Sequence, residues 1–151
     1  MGRIMRVALR TGYRVAITVY NIYGFPGGHQ DKHKAGRTDA IFAAARQEMA
    51  ERGDTYVAIV GDLNAELDDV PSASSLLLQA GWADLGAHPA RAVQGGPIPT
   101  CFAAIGSPDG NRRDFVLVDP LLLTLITQFK VSDEGAFSGS QARAVPHRVP
   151  T

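Results

Sequence analysis

The residues of this chain best suited to chemistry stand at the ends of apolar runs, and the clearest pair is Asp62 and Asn64. They follow Tyr56-Val57-Ala58-Ile59-Val60-Gly61, whose β-branched, apolar character predicts a short strand buried on both faces. At its carboxyl end the stretch gives way to a glycine, a carboxylate and an amide. In layered α/β folds, ligands gather at the carboxyl ends of strands. Two residues apart on an extended chain, Asp62 and Asn64 leave the backbone on the same side and could face one ligand together. A plainer reading is an Asx-type turn that caps the next segment. On these residues alone both readings stand.

Three further polar sites border strand-like runs: Asn21 with Tyr23, the trio Arg112, Arg113 and Asp114, and His147. Each has an ordinary explanation. Tyr23 can be a packing ring with a wet hydroxyl, Asp114 a turn cap, the two arginines a solvated hairpin, and His147 a surface residue near a terminus. Two metal motifs fail on inspection. His29 and His33 have the i, i+4 spacing of zinc histidines, but no further ligand accompanies them, so residues 29–34 read as a solvated connector. Asp62-x-Asn64-x-Glu66 imitates the opening of a calcium loop. The sixth and twelfth positions are Leu67 and Ala73 instead of Gly and Glu, which rejects that loop.

The elements that must position these residues follow from periodicity. Residues 4–9 and 13–20 read as two strands joined by Thr11-Gly12, the second alternating Tyr13, Val15, Ile17 and Val19 against Arg14, Ala16, Thr18 and Tyr20. Residues 38–52 carry a helical stripe of Ile41, Phe42, Ala45 and Met49, with Thr38 to cap its start and Gly53 its end. Strand, helix and strand in that order predict a βαβ crossover. A second helix is expected over residues 72–80, ended by Gly81, then a Gly- and Pro-rich loop over 86–99. Strands are expected at 100–104, 115–118 and 125–131.

With 151 residues the chain is the size of one domain. Lys plus Arg and Asp plus Glu are 15 each, so any affinity for phosphate or nucleic acid must come from a local patch. A single cysteine, Cys101, excludes a disulfide framework or Cys-based zinc site and fits a reducing, intracellular compartment. No apolar run reaches the roughly 18 residues of a membrane span, and the first residues lack the apolar core of a secretory signal.

Taken in order, Asn-Ile-Tyr-Gly-Phe-Pro at 21–26, Gly-Asp-Leu-Asn-Ala at 61–65, Pro-Thr-Cys-Phe at 99–102, Arg-Arg-Asp-Phe-Val-Leu-Val at 112–118 and Pro-His-Arg-Val at 146–149 resemble the endonuclease/exonuclease/phosphatase superfamily. That superfamily holds metal-dependent phosphodiesterases, among them deoxyribonucleases, apurinic endonucleases, inositol-polyphosphate phosphatases and retroelement endonucleases. The resemblance runs from about Val15 to Val149. It implies an α/β fold of the two-layer-sheet sandwich type (DNase I-like) and a Mg²⁺- or Mn²⁺-dependent hydrolase, most readily an endonuclease acting on nucleic acid. By the same resemblance Asp62 orients or deprotonates the attacking water and is the metal ligand. Asn64 donates to the phosphate, Asp114 fixes the tautomer of His147, His147 donates to the developing phosphorane, and Tyr23 adds a phenolic donor. Arg112 is implied as a further phosphate contact.

Two departures qualify the resemblance. The superfamily carries an Asn and a Glu after its first two strands, the Glu being the principal metal ligand, and here a single hairpin precedes the Asn-x-Tyr strand. The Asp expected before the last His is Pro146, preceded by Val145. The expectation is one domain over residues 1–151, incomplete at its N-terminal side and weak or inactive as it stands, whose missing part would be a longer chain's N-terminal strands. The alternatives are a non-catalytic remnant or interaction module that keeps the fold, or a phosphatase of the same superfamily.

Overall fold

The computed structural model describes residues 3–12, 15–102 and 110–131. Ten elements follow one another: β1 (Ile4–Arg10), β2 (Ala16–Ile22), α1 (Lys32–Arg52), β3 (Val57–Asp62), α2 (Pro71–Gln79), β4 (Ala83–Asp84), β5 (Cys101–Phe102), β6 (Gly110–Asn111), β7 (Asp114–Val118) and α3 (Pro120–Leu125). The fold is mixed α/β. Its main sheet has five strands in the order β1-β2-β3-β7-β4, and β5 and β6 form a separate two-stranded ribbon.

β1 and β2 pair antiparallel, Ile4 opposite Ile22 and Arg10 opposite Ala16, so the connection is longer than the expected Thr11-Gly12 turn. β2 and β3 run parallel, and α1 makes the crossover between them that the sequence order predicts. β7 returns antiparallel to β3 and places it at the centre of the sheet. This central position accounts for the apolar run of residues 57–60, because the strand is covered on both faces.

On one face, Tyr20, Ile22, Val57, Ile59, Phe115 and Leu117 meet Ala35, Phe42, Ala45 and Met49 of α1 and Ala73 and Leu76 of α2. On the other, Ala58 and Val118 pack with Leu85 and Leu122. That second covering stops short of β1, where Met5, Val7 and Leu9 stay 56%, 38% and 50% exposed on a strand at the sheet edge.

α1 begins earlier than expected. Asp31 is its N-cap, accepting from the His33 N–H at 2.9 Å, and Thr38 lies buried within the helix, where its hydroxyl accepts the Phe25 N–H. The signal for Asp31 was masked by Gly36, which the helix tolerates at a cost of about 1 kcal/mol. Gly53 ends the helix as anticipated, in the left-handed conformation at φ 64°. The strand expected over 125–131 does not form: α3, whose N-cap Asp119 accepts the Leu122 N–H, ends at Leu125, and the residues after it are irregular. Only an isolated bridge from Ala92 to Phe129 remains there. Asp119-Pro120 is a helix-start signal that outweighed the β-rich composition. Beneath α1, Asp54 accepts from the Tyr20 hydroxyl at 2.8 Å and from Arg6 at 2.8 and 3.1 Å, tying β1 and β2 to the loop that enters β3. Among the described residues, no helix is long and apolar enough to cross a membrane.

Candidate active site

The carboxyl end of β3 is built around close backbone approach. At Gly61, φ is 143° and an added Cβ would lie 1.9 Å from the carbonyl oxygen of Ile22, so only glycine lets β2 come this near. Asp62 follows, then buried Leu63, whose N–H donates to the Arg113 carbonyl, then Asn64 at φ 51°. The Asn64 N–H donates to Asp62 Oδ1 at 2.8 Å. The segment is therefore an Asx-type turn, the plainer of the two sequence readings, and with Asn64 in the left-handed region the chain is not extended from Asp62 to Asn64 as the other reading assumed.

Asp114 is the direct partner of Asp62 across the β3–β7 seam. Paired residues of antiparallel strands share a face, so the two carboxylates stand side by side. Burial, then the charge of Asp114, raises the pKa of Asp62 above the ordinary carboxylate value; the Asn64 N–H and the charge of Arg113 oppose this. Asp114 is itself exposed, with its N–H held by the hydroxyl of Thr100. A small cavity of about 100 Å³ beside it is lined by Thr100, Arg112, Val116 and Phe129 among others.

Asn64 is 4% exposed, and its side-chain nitrogen is buried with no hydrogen-bond partner. An orphaned buried donor costs about 1–3 kcal/mol, and this one lies near enough to the Asp62 carboxylate to help hold its charge. His29 Nδ1 and Arg113 Nε are orphaned in the same way. Their residues belong to the same cluster: the His29 N–H donates to the Asn64 carbonyl at 3.0 Å, and His29 Nε2 lies 3.4 Å from Arg113 Nη2. A guanidinium only donates, so in this contact the imidazole nitrogen is the side that can accept.

The connector reading of His29 is thus corrected. The available signal was Gly27-Gly28 just before it. At Gly28 an added Cβ would lie 2.7 Å from the Asn64 carbonyl oxygen, so the glycine marks a loop pressed against the site.

The other expected residues distribute as follows. Asn21 is exposed at the end of β2, and its Oδ1 lies 3.0 Å from where a Cβ on Gly61 would stand. Tyr23 reaches this end of the sheet through its neighbour Gly24, whose N–H donates to the Asp62 carbonyl at 2.7 Å. Its ring is 50% exposed and lies beside the Arg3 guanidinium, 5.4 Å from carbon to centroid. Arg112, expected at a phosphate, is instead clamped on Asp84 by both terminal nitrogens and stacked 4.5 Å from the Phe115 ring. Its planar fork is satisfied within the molecule, and the arginine nearer the Asp62–Asn64 turn is Arg113. His147 and Pro146 lie outside the described residues. Among the described residues no group of three or more His, Cys, Asp or Glu is placed to hold a metal.

No family model matches this sequence. No curated protein matches it either. Among solved structures the chain is similar to the 3' phosphatase NExo from Neisseria, bound to a product DNA hairpin, with 20% sequence identity and a TM-score of 0.49. The similarity covers 76% of this chain and 52% of the other, so this chain spans about half the length of that protein.

Proposed function

We propose that this chain is a metal-dependent phosphodiester hydrolase domain of the endonuclease/exonuclease/phosphatase type, acting on nucleic acid and feeble in isolation. The observation that carries the reading is the side-by-side pair of Asp62 and Asp114 with the buried amide of Asn64 at the same strand end. Asp62, with its raised pKa, orients the attacking water and takes up its proton. Asn64 offers its side-chain N–H to a phosphate oxygen and helps place Asp62. Tyr23 adds a donor at the rim, and Arg113 a fixed positive charge. His147 and Asp114 keep the roles implied by the resemblance, His147 as donor to the phosphorane.

A divalent cation fits this donor set in part. Two adjacent carboxylates repel, and Mg²⁺ or Mn²⁺ held by Asp62 would relieve that repulsion. When bound it would neutralise charge on the phosphate. The absence of a third ligand among the described residues favours weak metal affinity and hence slow turnover. The same observation favours a second reading, a non-catalytic module that keeps the fold.

The test is a nuclease and phosphatase assay with Mg²⁺ or Mn²⁺ on the chain and on Asp62→Ala. Slow, metal-dependent release that falls to background in the variant supports the hydrolase. Equal background in both supports the non-catalytic module. Robust turnover would overturn the expected feebleness.

A further inference from the structure

The loop that seats against Asn64 carries a second arrangement on its outer side. The Arg3 guanidinium carbon lies 4.0 Å from the centroid of Phe25, and that of Arg37 lies 3.8 Å from the same centroid. Two guanidinium groups that close to one ring cannot share a face without overlapping, so Phe25 is sandwiched between them. Arg3 is pinned in place by donating to the carbonyl of Gly24 at 2.9 Å. Among the described residues neither arginine is in an ion pair, the pairs being those of Arg6, Arg52 and Arg112.

The first turn of α1 adds to this charge. It holds Lys32 and Lys34, set against the single carboxylate of the N-cap Asp31. A groove of about 650 Å³ between β1 and α1 opens beside the sandwich, lined by Arg3, Ile4, Phe25, Arg37, Ala40 and Ile41 among others. In a chain of zero net charge this is a local concentration of arginine and lysine beside two aromatic rings. Cations interleaved with stacking rings are how proteins track a single nucleic-acid strand.

Building on the nuclease reading of the preceding section, we propose that Arg3, Tyr23, Phe25 and Arg37 form the path by which an unpaired nucleic-acid strand enters the site. The two arginines and Lys34 meet successive phosphates, and a base stacks on the exposed face of Tyr23. The path ends at the chemistry, because Gly24, between Tyr23 and Phe25, is hydrogen-bonded to the Asp62 carbonyl. Inside a duplex the base faces are covered by stacking, so the path selects single strands or frayed ends over duplex.

The experiment is fluorescence anisotropy in EDTA, which separates binding from hydrolysis. The probes are a labelled oligothymidine and a hairpin duplex of equal charge, titrated at several salt concentrations. Wild type should bind the single strand at least several-fold more tightly. The double variant Arg3→Gln, Arg37→Gln should weaken single-strand binding about tenfold and flatten the salt slope by about 0.7 for each lost phosphate contact. Tyr23→Leu should weaken the single strand about tenfold and the duplex little.

Arg3→Lys with Arg37→Lys should restore the salt slope, which a collapsed fold would not, and melting curves check folding of every variant. Equal affinity for both probes, or an unchanged salt slope in the double Gln variant, overturns the path. Because no metal is present, loss of this inference leaves any cleavage by Asp62 intact, and tight selective binding without cleavage would instead sink the hydrolase reading.

Discussion

Asp62 and Asp114 are directly opposed across the seam between β3 and β7, so two carboxylates share one face at the end of the sheet where β2 and β3 also terminate. Evolution of a fold for stability alone would separate them, since like charges side by side are destabilising. The pair is therefore the best place to look for a conflict between stability and function.

Asp62→Asn is expected to raise the melting temperature at neutral pH. The folded-state pKa of Asp62 lies above its unfolded value, so stability is lost as the pH rises from the unfolded value and the loss is complete above the folded one. Asn removes the charge and still accepts the Asn64 N–H. Below the unfolded value both forms of Asp62 are protonated, and the advantage should vanish. Thermal melts of both proteins from acid to neutral pH check this; a variant less stable at neutral pH refutes it.

Gly24→Ala tests how tightly the loop is seated. The added Cβ would meet the backbone carbonyl of Leu63 at 1.9 Å, a contact that must be relieved by moving the loop. A loss of about 1–3 kcal/mol is expected from such overpacking, together with loss of phosphodiester binding at the Asn64 turn. Denaturant unfolding and an oligonucleotide titration measure the two. Unchanged stability would mean the loop does not rest on the Asp62–Asn64 turn.

Asp54→Ala should destabilise by about 1–3 kcal/mol, because the buried Tyr20 hydroxyl loses its acceptor. Hydrogen bonding by Arg6 holds the Asp54 pKa below its ordinary value, while burial, then the hydrogen bond to Asp54, pushes Tyr20 up to about 12. The Asp54 contribution is complete above its unfolded pKa and fades as pH falls toward its folded one. The difference between wild type and variant should accordingly shrink in acid and hold at neutral pH, as read by urea midpoints.

Leu9→Glu and Met5→Lys should reduce self-association without lowering stability by more than about 0.5 kcal/mol. Both side chains are half exposed on an edge strand, where apolar surface invites pairing with another chain. Light scattering against concentration is the readout. A wild-type chain that stays monodisperse at high concentration would mean this face is harmless as it stands.

Much of the arrangement was legible because it rests on local rules. The apolar run ending in Gly61-Asp62 fixed β3 and its central position, and Gly53 and Gly81 marked helix ends through their left-handed backbone. What escaped depended on tertiary choice. Residues 125–131 have strand composition, but Asp119 and Pro120 begin a helix before that composition can act. His29 lies far from Asn64 in the chain, and only the packing of Gly28 against the turn reveals its place. Arg112 and Arg113 are adjacent in sequence and point to different partners, Asp84 and His29, a distinction that composition cannot make.

The seam between β3 and β7 also dictates when the site can exist. β1 and β2 are a local hairpin, and α1 brings β3 to β2 through a continuous helix, so these pairings can form early. Asp62 meets Asp114 only after the chain has passed through α2, β4 and the Gly- and Pro-rich stretch over 86–99. Long-range pairings repay their closure entropy late in folding, so the carboxylate pair is assembled after most of the helical structure is in place. In a refolding time course, helical signal should precede any ligand binding at Asp62. A cut within 86–99 would leave two pieces, each carrying one carboxylate and neither carrying the site.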